Sequence, residues 1–200
     1  MVALIIDPDY QEMLIQQRQE TGADRWDEVW EGVYVMSPGP NEEHQDFVAE
    51  LVFILKTVVP RKIGRVYPGI NVSDRFDWTK NYRGPDVAVY YSDNPAENHD
   101  TFILGGPDLA IEIVSPYDRT REKLDFYSKV NTRELLIIDR DPWKLELYRL
   151  TDGKLTLVAD VKPDDSAFQT TSIPLSWQLL SGKDRPQIKI NSPTGQEWMI

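Results

Sequence analysis

Apolar and polar positions along the chain alternate with two different periods. In residues 41–59, "NEEHQDFVAELVFILKTVV", Phe47, Leu51, Ile54, Leu55 and Val58 recur at helical spacing, so one face belongs to a core. Asn41 is a natural N-cap, Glu42 and Glu43 favour the first turn, and Pro60 stops the helix. The spacing also predicts a short helix over 8–20 with Pro8 in its first turn, and another beginning at Asp118 or Thr120. In that last helix Lys123, Phe126, Tyr127 and Val130 share one face. Period-two stretches read as strands. "RWDEVWEGVYVMS" predicts a hairpin turning at Glu31-Gly32, and "GRVYPGINVSD" a strand broken by Pro68-Gly69. "PDVAVYYSD" and "PDLAIEIVSP" follow, the second apolar on both faces as a covered central strand would be. "ELLIIDRD", "KLELYRL" and "KLTLVAD" complete the set. From Pro163 onward four prolines predict an irregular tail with a short ordered piece near "PLSWQLL". The order of elements predicts an α/β fold: one mixed central sheet flanked by helices, in a single domain over 1–200 with a core of about 26–150.

Two of these strands begin with Pro-Asp, and one holds an acid in its interior. Proline fixes the entry to a strand where no ladder donor is yet needed. Asp108 reads as turn chemistry. Glu112 is different, because Ile111 and Ile113 flank it and an ionised carboxylate there needs a cation. Asp86 and Glu112 on neighbouring strands would share a hard divalent ion such as magnesium, one of whose waters can attack a phosphodiester. A structural Glu–Lys or Glu–Arg pair is the alternative. Lys123 heads the inward face of its helix, where a first-turn cation is disfavoured by the helix dipole, so a carboxylate or phosphate partner is expected. The alternative is a lysine whose stem lies along the surface.

Charge and composition narrow the classes. The net charge is −11, from 33 acids against 22 bases, which opposes broad electrostatic affinity for nucleic acid. The local bases Arg83, Arg119 and Arg121 remain candidates for contact with a nucleic-acid backbone, against a reading of Arg119 and Arg121 as a solvated helix start. There is no cysteine, so disulfides, thiol catalysis and zinc–thiolate sites are excluded. Asp7 interrupts the N-terminal apolar run far short of a signal segment and no stretch reaches membrane-spanning length, so a cytoplasmic protein is expected. Exposed apolar strands around "KLELYRL" are a candidate homodimer surface.

The pieces "EGVYVMSPGPNEEH", "PDVAVY", "PDLAIEIVSP", "REKLDFY" and "ELLIIDRDPWKLELYRL" occur in an order that resembles the Uma-type restriction endonuclease family of the PD-(D/E)xK superfamily. The resemblance covers roughly residues 26–150. It implies a restriction-endonuclease-like core and a metal-dependent phosphodiesterase using Mg2+ or Mn2+, with DNA as the expected substrate. Asp86 would take the first acid of the motif and Glu112 the second. The superfamily lysine normally lies two residues after the second acid, where this chain has Val114; Lys123 matches the displaced position of the Uma-type family. The resemblance also points to His44 and Glu31 as auxiliary groups, although a helical histidine and a turn glutamate are both ordinary structural features. A rival reading keeps the fold as a non-catalytic binding module, since a fold alone does not give function.

Overall fold

A carboxylate in a strand interior is tolerable only where the strand sits among other elements that can supply partners, and the fold builds such a place. The computed structural model describes residues 7–115 and 119–200. Helix α1 (Pro8–Thr21) is capped by Asp7, whose side chain accepts from the Asp9 and Tyr10 N–H groups. The hairpin β1 (Glu28–Trp30) and β2 (Val33–Val35) turns at Glu31-Gly32, both at positive φ (47° and 85°), as a two-residue turn of this kind requires. Helix α2 (Glu42–Val58) is capped by Asn41, which accepts from the His44 N–H. Strands β3 (Gly64–Pro68) and β4 (Asn71–Ser73) follow, then β5 (Tyr82–Arg83), β6 (Val87–Tyr91), β7 (Glu97–Asn98), β8 (Phe102–Leu104) and β9 (Leu109–Ile113). A 3-10 turn over Thr120–Lys123 leads into α3 (Leu124–Lys129), then β10 (Glu134–Arg140), β11 (Trp143–Thr151) and β12 (Lys154–Val161). Strands β13 (Phe168–Gln169), β14 (Ser176–Leu180), β15 (Gln187–Asn191) and β16 (Glu197–Met199) close the chain. Of the third predicted helix, the start at Asp118 lies outside the described residues.

The central sheet has the order β12-β11-β10-β9-β6-β3, and only its β9–β10 pair is parallel. The crossover between those two strands carries the 3-10 turn and α3, a short βαβ unit. Strand β9 is central, as its two apolar faces predict, and all five of its residues are buried. Leu109, Ile111 and Ile113 pack with Val87, Val89, Leu136 and Ile138 against Phe47, Leu51, Ile54 and Leu55 of α2. Ala110, with Leu135 and Ile137, faces Phe126, Tyr127 and Val130 on the other side. Alternation along the strand therefore turns Glu112 toward α3. A second six-stranded sheet runs β2-β1-β5-β4-β8-β7.

Three expectations need correction. The stretch predicted as one broken strand is two strands of different sheets: Gly69, at φ 63°, turns the chain from β3 in the central sheet to β4 in the second. The tail is not irregular. Strands β13 to β16 form a four-stranded antiparallel sheet, and Trp177, Leu179, Ile188 and Ile190 join the same core as α2. Pro163, Pro174, Pro186 and Pro193 all fall between strands, where a missing N–H leaves no ladder gap. Finally, "KLELYRL" is not exposed: residues 144–150 are buried or half-buried, and the exposed apolar residues Leu157 and Val158 lie on the neighbouring β12. Among the described residues no helix is long and apolar enough to cross a membrane.

Because Trp177 is fully buried in the shared core, Trp177→Ala should destabilise the whole protein by about 3–5 kcal/mol. Urea unfolding followed by circular dichroism should show one transition at lower midpoint. A separate early transition of the C-terminal sheet, with the rest unaffected, would contradict a shared core.

Candidate functional site

Strands β6 and β9 pair antiparallel with Val87 opposite Ile111, so the same register sets Asp86, one step before β6, against Glu112. The Pro-Asp start places the Asp86 carboxylate at the strand mouth. Its Oδ2 accepts the Ile113 N–H at 2.7 Å, and its Oδ1 lies 2.7 Å from Nε2 of His44 in the first turn of α2. His44 Nδ1 lies 3.3 Å from the Ser115 hydroxyl. The Asn41 cap fixes where α2 begins and thus where His44 points.

Glu112 meets Lys123 from the crossover turn. The ammonium donates to both carboxylate oxygens, at 3.1 and 3.0 Å, and to Glu28 Oε1 at 3.0 Å. Tyr127, one helical turn after Lys123, donates its hydroxyl to Glu112 Oε1. Glu28 is held in turn by the Trp30 indole N–H at 2.6 Å and the Gly84 N–H at 2.8 Å. Thus two carboxylates and one lysine, all nearly buried, form a continuous network between the central and second sheets.

Burial is the largest influence on Glu112, and it favours the neutral acid. Lys123 and the Tyr127 hydrogen bond oppose it, while the Asp86 and Glu28 charges reinforce it, and the carboxyl is pushed up to about 8. Burial and the neighbouring Glu112 carboxylate raise the Tyr127 hydroxyl well above its ordinary value, so it stays a donor at neutral pH.

The structure sets Asp86 opposite Glu112 on adjacent strands, with His44 on the first acid and Lys123 on the second. It separates the other sequence candidates from them. Glu31 sits at the hairpin turn, largely exposed, accepting from Asn81 at 2.8 Å and near Arg75 and Lys129. The hairpin acid that reaches the network is Glu28, three residues earlier. Alternation marked it as a strand residue, but nothing in the sequence marked which sheet it would face. Arg83 is buried, not displayed. Its guanidinium lies between the Trp30 and Phe126 rings, 4.6 and 4.3 Å from their centroids, and donates to Val29 O and Asn81 Oδ1. Arg121 binds Asp139 at 2.8 Å and Glu146 at 2.9 Å, so its charge is already matched. Arg119, partly exposed like Arg121, pairs only with the exposed Glu122 and lies 4.6 Å above the Trp30 ring. Asp108 is fully buried and takes the Tyr91 N–H, the Asn94 amide and Arg133, the structural role read from sequence. Tyr127, read as core, is also a polar member of the site.

The donors present fit a hard divalent cation. Asp86 and Glu112 offer only oxygen, each carboxylate has lone pairs beyond its present hydrogen bonds, and Glu112 lacks enough positive charge to ionise readily. Asp86 is the more open, with 15% of its side chain exposed against 4% for Glu112. Among the described residues no group of three or more His, Asp or Glu side chains is arranged as a ready ligand cluster. A magnesium-like ion suits such a sparse set, since it is commonly held by one or two carboxylates with water or phosphate oxygen completing the shell.

Comparison with known proteins agrees with the fold. The family model Uma2, described as "Putative restriction endonuclease", matches residues 7–181. A crystal structure of a "putative nuclease belonging to DUF820" from Anabaena variabilis is similar, with a TM-score of 0.58 and 22% identity. The match covers 74% of this chain and 83% of that one. At that identity the likeness shows a shared fold. No curated protein matches the chain.

The raised Glu112 carboxyl makes stability depend on pH. The native state keeps this proton between the ordinary 4.5 and about 8, while the unfolded chain has lost it. The stabilisation is fully present below 4.5 and is lost as pH rises through 8. In metal-free buffer the melting temperature should therefore fall by several degrees from pH 5 to pH 8, and Glu112→Gln should flatten that slope. An unchanged slope in the variant would assign the dependence to another group.

Proposed function

The chain belongs to the Uma2 family, and from that premise we propose that it is a divalent-metal-dependent endonuclease that hydrolyses phosphodiester bonds, with DNA as the substrate. The observation that carries this reading is the pairing of Asp86 and Glu112 across two adjacent strands with Lys123 on the second acid. Asp86 and Glu112 would hold Mg2+ or Mn2+. Such a cation supplies a bound water of lowered pKa and positive charge against the phosphate oxygens.

The chain's own groups do the rest. The Ile113 N–H and His44 orient Asp86 by one bond to each of its oxygens. Tyr127 holds Glu112 in a single orientation. Lys123 keeps a positive charge beside the acids, where it can neutralise charge developing on a phosphate or orient the attacking water. Glu28 fixes the direction of the Lys123 ammonium by accepting a hydrogen bond from it. Arg119 offers a displayed cation for the nucleic-acid backbone beside the site, local enough to act despite the net charge of −11.

A second reading also has a specific observation behind it. Lys123 already pairs with both Glu112 and Glu28, as it would in a non-catalytic binding module held together by a buried ion pair.

Manganese titration by calorimetry beside cleavage of plasmid DNA separates the two. The parent protein should bind Mn2+ and cut, and Glu112→Gln should lose both. Lys123→Ala should lower cleavage by roughly two orders of magnitude while still binding metal, because an ammonium is no ligand. In the metal-free state the same change leaves Glu112 and Glu28 without their buried counter-charge and should cost about 3–5 kcal/mol, part of which added Mn2+ restores. A parent protein that binds no metal and cuts neither DNA nor RNA would leave the module reading standing.

A further inference from the structure

Lys123 belongs to a short 3-10 turn that has no side-chain N-cap, so the turn itself does little to fix the lysine. Its neighbour Arg121 reaches the sheet separately. Pairing across β9, β10 and β11 sets Glu112 beside Ile137 and Ile137 beside Glu146. Those three side chains form one row on the α3 face, its acidic ends two strand spacings apart, about 9.6 Å. Asp139 follows Ile137 on the same face, one pleat further along β10. Lys123 engages Glu112 at one end of the row. Arg121 engages Glu146 through Nε at 2.9 Å and Asp139 through Nη2 at 2.8 Å at the other. Both acids are nearly buried, with 6% and 10% of their side chains exposed, while 40% of Arg121 remains exposed. A planar guanidinium that bridges two strands is a more rigid tether than a lysine could be.

We propose that Arg121 is a positioning residue: by clamping the crossover turn to β10 and β11 it sets where Lys123 meets Glu112, and it makes no contact with nucleic acid. The proposal rests on the nuclease reading only for its kinetic consequence. The clamp itself is a structural claim about residues 119–130.

The test compares the parent protein, Arg121→Ala, Arg121→Lys and the double variant Asp139→Asn/Glu146→Gln. Three quantities are read: Mn2+-dependent cleavage of a defined duplex, salt dependence of duplex binding, and amide hydrogen exchange over 119–130. Arg121→Ala should lower kcat by about tenfold with KM and the salt slope unchanged, and should speed exchange across the turn. Removing the two acids should give a similar loss, and adding Arg121→Ala to it should change little more, because all three act as one unit. Arg121→Lys keeps the charge and should recover part of the loss, which also excludes misfolding as the cause. A phosphate contact would behave differently. Arg121→Ala would then weaken binding and reduce the salt slope by about one, with kcat and exchange unchanged, and the proposal would fall. Should the parent cut nothing, exchange alone decides. Faster exchange in Arg121→Ala keeps the clamp while the nuclease reading fails, and unchanged exchange overturns the clamp.

Discussion

A single carboxylate in the middle of the central sheet organises this molecule. Glu112 lies on a strand whose five residues are all buried, and an ion there loses several kcal/mol of hydration. The surrounding elements are arranged to offset that loss. The crossover supplies Lys123 and Tyr127, and the hairpin of the second sheet supplies Glu28, which shares the lysine. Trp30 and Gly84 then hold Glu28, and Arg83 packs between Trp30 and Phe126. The contact between the two six-stranded sheets is thus partly a chain of polar bonds leading back to one acid. Compensation is incomplete, and burial still pushes the Glu112 carboxyl well above the ordinary carboxylate range. A buried site poised between protonated and ionised forms is a common feature of places where chemistry or metal binding occurs.

The source of the lysine shapes the rest. Two residues after Glu112 stands Val114, packed with the apolar cluster around α3, so the strand itself carries no cation at that point. The charge comes instead from a turn eleven residues downstream, and its position depends on tertiary tethers. A lysine on the strand would be placed by the ladder hydrogen bonds. A lysine on a turn is placed by whatever holds the turn, here Arg121 on Asp139 and Glu146, together with the apolar anchor of Phe126 and Val130. Residues remote from the acids can therefore govern the geometry at them.

How much of this was legible in the sequence divides along physical lines. Local signals carried well: the capped α2, the Glu31-Gly32 turn, the doubly apolar β9 and the inward phase of Lys123 all depend on neighbours in sequence. The acid inside an apolar run announced itself because its cost has no local remedy. Identities that depend on long-range placement were hidden. Glu28 and Glu31 sit three apart on one hairpin, and only the docking of that hairpin decides that Glu28 faces Lys123 while Glu31 faces Asn81. Arg83 looked like a displayed cation because arginine usually is exposed, but it is sandwiched between rings; Arg121 does stay partly exposed, yet it answers two acids on β10 and β11 that only the fold brings near it. The C-terminal sheet was missed because prolines between short strands read the same as prolines in a coil until the strands are paired.

The acidity of the chain also looks different once the ion pairs are placed. Arg18, Arg133, Arg140 and Arg149 each answer a carboxylate, as Arg121 does, so much of the arginine content acts inside the fold. The bases that stay exposed are outnumbered, and the net charge of −11 repels a polyanion at a distance. On the proposed function, attraction then has to come from the site. A divalent cation at Asp86 and Glu112 would reverse the local sign where a phosphate must sit, and Arg119 above Trp30 would lie beside it. Binding of nucleic acid would depend on metal far more than on bulk electrostatics, with a shallow salt dependence because few phosphates are neutralised by side chains. Such a protein would ignore nucleic acid until its acids are loaded, which reconciles an acidic surface with a phosphodiester substrate.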